Sequence, residues 1–103
     1  MFADSAPTGV AAAALPEGCR WSDAIARLAL DGYNKEYLSH YTVDQCKQAC
    51  EETTDFDCKS FDLKNGGGSS GGCYLSSEDR YTSALTDYSN YHYYEILCDN
   101  GER

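Results

Sequence analysis

Basic residues are scarce in this chain: 8 Lys and Arg stand against 17 Asp and Glu, a formal charge of -9 over 103 residues. No basic run occurs anywhere, so nucleic acid and anionic membranes would be repelled, and heparin-like glycans are disfavoured as partners. Long apolar runs are missing too. Nothing approaches the about 18 residues of a membrane span, which argues against membrane insertion. Met1 to Pro16 holds a short alanine-rich run, but no Lys or Arg precedes it and Asp4 interrupts its start, so it does not read as a signal peptide. Residues 1–18 are expected to be a flexible leader and 99–103 a tail, around one domain over 19–98. Aliphatic residues are also thin, and nine Tyr supply most of the bulk. A core this modest in so short a chain needs other support.

Six Cys supply it. An even number in a short polar chain is the arithmetic of a secreted, extracellular disulfide framework. Three bridges at roughly 2 to 4 kcal/mol each would rival the net stability of a domain. Zinc asks for close pairs of Cys or His. Only Cys46 and Cys50 make one, and neither His40 nor His92 has a His partner at metal-ligand spacing. A Cys-x-x-Cys redox motif is absent. No metal and no cofactor is therefore expected.

Locally, Thr42 followed by Gln45 forms a capping box and predicts a helix over Thr42 to Glu51, with Asp44 in its first turn. Val43, Cys46 and Cys50 fall on one face, with Ala49 beside them. Strand character follows at Cys58 to Leu63, Cys73 to Ser76 and Tyr91 to Cys98. Asn65 to Gly72 reads as a loose hairpin loop that does not pack, and it lacks the lysine of a phosphate loop. Between Trp21 and Tyr41, Ala24 to Leu30 alternates as a strand does yet has the alanine and leucine content of a helix; a strand followed by a turn at Asp31-Gly32 is expected. In the last strand Tyr91, Tyr93 and Glu95 share one face, and His92, Tyr94, Ile96 and Cys98 the other. The second face is expected to be the buried one, because a bridged Cys points inward.

The series Cys46-x3-Cys50, Phe56-x-Cys58-x-Ser60-Phe61, Cys73-Tyr74-Leu75-Ser76 and Tyr93-Tyr94-Glu95 leading to Cys98 resembles the PAN/apple domain family. The resemblance implies an α+β fold, a small disulfide-rich domain with a curved antiparallel sheet of about five strands cradling one helix. It also implies that Cys19 pairs with Cys98, Cys46 with Cys73 and Cys50 with Cys58. By the same resemblance, the chain would be a recognition or adhesion module for an extracellular protein or a neutral glycan. No binding residue carries over from the family.

The candidate contact residues come from the sequence itself: Tyr88, Asn90, Tyr91, His92 and Tyr93, with Asp87 as a polar neighbour. Tyrosine offers a broad face and a hydroxyl at low entropic cost. An alternative is a structural or self-associating unit of a larger secreted or matrix protein, joined through tyrosine-rich edges; an uncovered final strand would favour it. An enzyme is not expected. With all six Cys expected in bridges and no Ser in a nucleophile motif, His40 and His92 have nothing to activate, and the pairs Asp55/Asp57 and Glu78/Asp79 read as solvated loop charges.

Overall fold

A computed structural model describes residues 15–30, 32–64 and 69–99. The elements run β1 (Cys19–Trp21), β2 (Ile25–Ala29), β3 (Asn34–Thr42), α1 (Val43–Glu52), β4 (Ser60–Lys64), β5 (Ser70–Ser76) and β6 (Thr86–Cys98). All pairing is antiparallel, in the order β1-β6-β4-β5-β3, and β2 pairs with β6 as well. β1 lies along the carboxyl half of β6 and β2 along its earlier part, so the two share one edge and the sheet is five strands wide. This is the α+β fold expected, one helix on a curled antiparallel sheet.

The helix begins where the capping box places it. Thr42 Oγ1 accepts from Gln45 N–H at 3.2 Å, and Gln45 Oε1 accepts from Thr42 N–H at 2.9 Å. Four residues are thereby fixed by contacts three positions apart, which makes the signal readable without any tertiary information. The turn after β2 is equally local: Gly32 has φ +87°, a conformation that costs glycine little. Asp31, the other half of that expected turn, lies outside the described residues.

The core sits between α1 and the sheet. Cys46 and Cys50 from the helix pack with Phe61, Leu63, Cys73, Leu75, Ile96 and Cys58, and Trp21, Leu38, Val43, Phe56 and Tyr94 close its rim. Trp21 stands edge-on to Phe61 at 5.3 Å and donates its indole N–H to Glu51 at 2.7 Å, which ties β1 to the helix. Leu15 also packs on this core, Pro16 accepts from Cys19 N–H, and Gly18 accepts from Asp99 N–H. Among the described residues, packing on the core thus already includes Leu15, within the stretch expected to be a leader. The rest of the expected leader, and the tail beyond Asp99, lie outside the described residues.

Two bridges are present, Cys19–Cys98 and Cys50–Cys58. The third pair differs from what the resemblance implies. Cys46 and Cys73 are thiols, both fully buried. They are neighbours because the sheet register sets Cys73 opposite Leu63 and Leu38, under the helix face that carries Cys46. Their mutual hydrogen bond, followed by burial, pushes the Cys73 thiol far up. A protonated thiol is a poor nucleophile, so Cys73 has no thiolate with which to react.

The glycine-rich stretch departs from expectation as well. Residues 65–68 lie outside the described residues, but Ser70 to Gly72 extend β5 instead of looping out. Glycine packs here because a large neighbour takes the space: a Cβ on Gly72 would stand 2.8 Å from Tyr37 Cε1.

Candidate functional site

Strand alternation gives the sheet a second face, turned away from the helix. In register across it lie Tyr37 of β3, Tyr74 of β5, Asp62 of β4 and Tyr93 of β6. One step along are Ser76, Ser60 and Glu95. The sequence was expected to bury His92, Tyr94 and Ile96 and to expose Tyr93 and Glu95; in fact Tyr93 and Glu95 are fully buried, Ile96 is 6% exposed, and His92 and Tyr94 are half-buried. The reason is tertiary. The segment from Ser77 to Leu85 folds back over this face and covers it.

That segment is held by a buried polar network. Ser60 Oγ donates to the Glu78 carbonyl at 2.6 Å, and Glu78 N–H donates to Ser76 Oγ at 3.0 Å. Arg80 N–H donates to the Tyr93 hydroxyl at 2.9 Å, and that hydroxyl donates to Glu95 Oε1 at 2.8 Å. Glu95 Oε2 meets the Arg80 guanidinium in an ion pair. Burial, then the bond to Glu95, pushes the Tyr93 phenol far above its usual range, so it stays a donor. Asp79 closes the turn, its carboxylate accepting from Tyr81 N–H and its N–H donating to Thr82 Oγ1. The Glu78/Asp79 pair thus builds a loop. At its tip Tyr81 is 71% exposed, with Arg80 over its ring.

Beyond the network, four tyrosines form a continuous row. Tyr37 and Tyr74 are 4.7 Å apart between ring centroids, Tyr74 and Tyr91 5.9 Å, and Tyr91 and Tyr88 5.3 Å. The contact between Tyr74 and Tyr91 closes over β4, whose Asp62 is only 2% exposed. Both Asp62 oxygens accept from Leu30 N–H, at 3.3 and 3.1 Å. Burial lifts the Asp62 carboxyl from 3.8 to about 7, against the smaller opposite pull of Leu30 N–H. Burial likewise raises the Tyr91 phenol to about 12, with the neighbouring Tyr74 hydroxyl adding to it.

Of the expected contact residues, the structure unites Tyr88 and Tyr91 in this row. Asn90 is exposed in the part of β6 between them, opposite a register break at Arg27, where β2 adopts φ +68°. His92 lies in register with Leu63, on the helix side. Tyr93 is removed from any contact surface by its burial and its spent hydroxyl. Tyr37 and Tyr74 were missed. Tyr74 was legible, because Cys73 and Leu75 on either side of it both point into the core; Tyr37 was not, because β3 has register breaks on both sides of it.

Asp62 makes a prediction about pH. Its carboxyl holds a proton in the folded state that the unfolded chain releases between about pH 4 and 7, so its contribution is full below pH 4 and is lost as pH rises through 7. The contribution is on the order of 4 kcal/mol. Asp62→Asn keeps an acceptor for Leu30 N–H and carries no charge. It is expected to flatten this slope and to be more stable than the parent at pH 8, by at least about 1 kcal/mol. Urea unfolding of both proteins from pH 4 to 8 checks it, and parallel pH profiles would refute it.

With this geometry in hand, comparison with known families is decisive, since the family model described as PAN domain matches residues 19–98. The chain belongs to the PAN domain family. No curated protein matches it. PAN domains are protein- or carbohydrate-binding modules of extracellular proteins, generally non-catalytic. In this PAN domain the tyrosine row lies on the sheet face opposite the helix, which the Cys50–Cys58 bridge ties to the segment leading into β4.

Proposed function

We propose that the domain is a non-catalytic recognition module of a secreted or extracellular protein, and that the helix-free face bearing Tyr37, Tyr74, Tyr91 and Tyr88 contacts its ligand, an extracellular protein or a neutral glycan. The observation that carries this reading is the continuous row itself, with Tyr37 55% and Tyr88 36% exposed at its ends. Exposed aromatic rings fixed on a rigid sheet lose little entropy on binding, which is what makes tyrosine a favoured contact residue. The acidic surface argues against nucleic acid and heparin-like glycans. Family membership supports the extracellular setting, and the two bridges agree with an oxidising compartment.

Neither a catalytic nor a self-associating reading gains support. The two thiols are fully buried, and the bond to Cys46, with burial, holds Cys73 protonated. The final strand is flanked on both sides, by β1 and β2 and by β4, and the outer strands β2 and β3 each carry a register break with a non-glycine residue at positive φ, Arg27 and His40. Such bulges blunt an edge against pairing with another chain.

The test is capture by the immobilised domain from extracellular matrix extract, together with a glycan array. Tyr37→Ala and Tyr88→Ala are each expected to weaken the bound species at least about tenfold. Gln48→Ala, on the exposed side of α1, is expected to leave it unchanged. Equal binding by all three variants would refute the assignment of this face.

A further inference from the structure

The tyrosine row is more specific than a general contact surface. We propose that Tyr37, Tyr74, Tyr91 and Tyr88 form successive subsites for a linear neutral oligosaccharide, with one sugar ring against each phenol ring. This rests on the helix-free face being the ligand face.

Three features select that ligand. The first is ring arrangement. Neighbouring rings in the row are tilted by 44°, 43° and 58°, so they do not make one flat platform for a planar ligand. They present separate faces in a line that crosses four strands, with rings supplied by β3, β5 and β6. A chain of pyranoses, each with an apolar C–H face and each turned relative to the last, matches a line of separate, mutually tilted aromatic faces.

The second is hydrogen-bonding chemistry. A phenol hydroxyl both donates and accepts, as a sugar hydroxyl does. The raised Tyr91 phenol stays protonated throughout the physiological range and remains a donor.

The third is charge. A cationic peptide side chain can stack on a phenol face, but it is held firmly only where a carboxylate beneath the rings is free to pair with it. Asp62, the acid beneath them, is 2% exposed and already accepts from Leu30 N–H with both oxygens. The exposed Lys64, paired in register with Tyr91 and Gly72, further disfavours a cation at this place. Sulfated or uronic polymers meet the chain's overall charge of -9. A neutral ligand is favoured over either charged class.

The end of the row is set by Gly72. The Tyr37 ring lies where a Cβ on residue 72 would be, 2.8 Å from Cε1 and 3.2 Å from the hydroxyl oxygen. Gly72→Ala therefore displaces the Tyr37 ring without altering its chemistry. Because the obstacle is the far end of an exposed side chain, the fold is expected to survive.

Isothermal titration with the mono- to pentasaccharides of the cellulose, chitin and β-1,4-galactan series tests the inference. In one of these series affinity is expected to rise about fivefold with each added sugar up to the tetrasaccharide, then to level off at the fifth. Tyr37→Ala, Tyr88→Ala and Gly72→Ala are each expected to move the plateau down to the trisaccharide, while Gln48→Ala keeps it at the tetrasaccharide. No binding in any series, affinity independent of length, or an unmoved plateau in the row variants would overturn it. A photo-crosslinking residue at position 88 or at position 48 separates this failure from failure of the broader reading. Protein crosslinks from 88 without saccharide binding would overturn the oligosaccharide and leave the face; crosslinks from 48 alone would overturn both.

Discussion

Replacing Cys19 and Cys98 together by serine is expected to destabilise the domain by roughly 4 to 5 kcal/mol, because the bridge closes a loop of 79 residues and the constraint it places on the unfolded chain grows with loop length. Removing Cys50–Cys58, whose separation is 8, is expected to cost roughly 2 to 3 kcal/mol by the same argument. The order of the two is the sharper expectation. β1 has only three residues, and its register against β6 is Cys19 with Cys98, Arg20 with Leu97 and Trp21 with Ile96. Without the bridge, this short strand is left at its outer end with the single bond from Asp99 N–H to Gly18 and the solvent-exposed Arg20–Asp99 pair. Trp21 is the only tryptophan, so its fluorescence registers the release of β1 from Phe61 and Glu51. Urea titrations of both serine pairs, followed by fluorescence, measure the two costs. A larger loss from the shorter loop would refute the account.

The same proteins give a count of thiols. Alkylation in denaturant without reductant is expected to label two cysteines, Cys46 and Cys73, and alkylation of the folded domain to label neither, since both are fully buried. No label in denaturant would mean that the pair closes into the third bridge implied by family resemblance.

The second large effect belongs to Arg80. Arg80→Ala leaves the Glu95 carboxylate fully buried without its ion-pair partner, and breaking such a pair from one side costs about 3 to 5 kcal/mol when both ends are buried. The Arg80 side chain is 39% exposed, so water can partly replace it, and about 2 to 3 kcal/mol is expected. Adding Glu95→Gln to Arg80→Ala removes the stranded charge while keeping an acceptor for the Tyr93 hydroxyl, and is expected to restore part of the loss. Hydrogen exchange adds a local readout. The amides of Tyr81, Thr82 and Ser83, held by Asp79, are expected to lose protection in Arg80→Ala before the β4 amides do. An Arg80→Ala protein as stable as the parent, or a double variant no better than the single one, would refute this role for the buried pair.

Both effects mark the boundary between what a sequence displays and what it does not. The helix was legible because Thr42, Gln45 and the Val43–Cys46–Cys50 face are local patterns, fixed within two turns. The positions of β2, β4, β5 and β6 were legible for the same reason, although β5 and β6 begin earlier than their apolar residues suggest. β1 and β3 were not expected, since β1 has only three residues and β3 does not alternate cleanly between apolar and polar residues. The burial of Tyr93 and Glu95 was not legible. Alternation assigns residues to opposite faces, but it cannot say that Ser77 to Leu85 returns to cover the face away from the helix. An acidic residue and a tyrosine look solvent-facing until the Arg80 that neutralises one and the backbone that bonds the other arrive from a distant segment.

The scarcity of basic residues and the cysteine arithmetic set the class of molecule without any coordinates, since charge and composition act through sums that do not depend on the fold. The sequence alone also determined the helix, its cap and the Gly32 turn, because each depends on neighbours a few residues away. Only the tertiary structure decided that Tyr37, Tyr74, Tyr91 and Tyr88 make one row, that Asp62 lies beneath it, and that Cys46 and Cys73 meet as thiols. Those facts depend on strand order and register, which bring β3, β5 and β6 together from positions up to 54 residues apart between Tyr37 and Tyr91. No local pattern encodes such a distance.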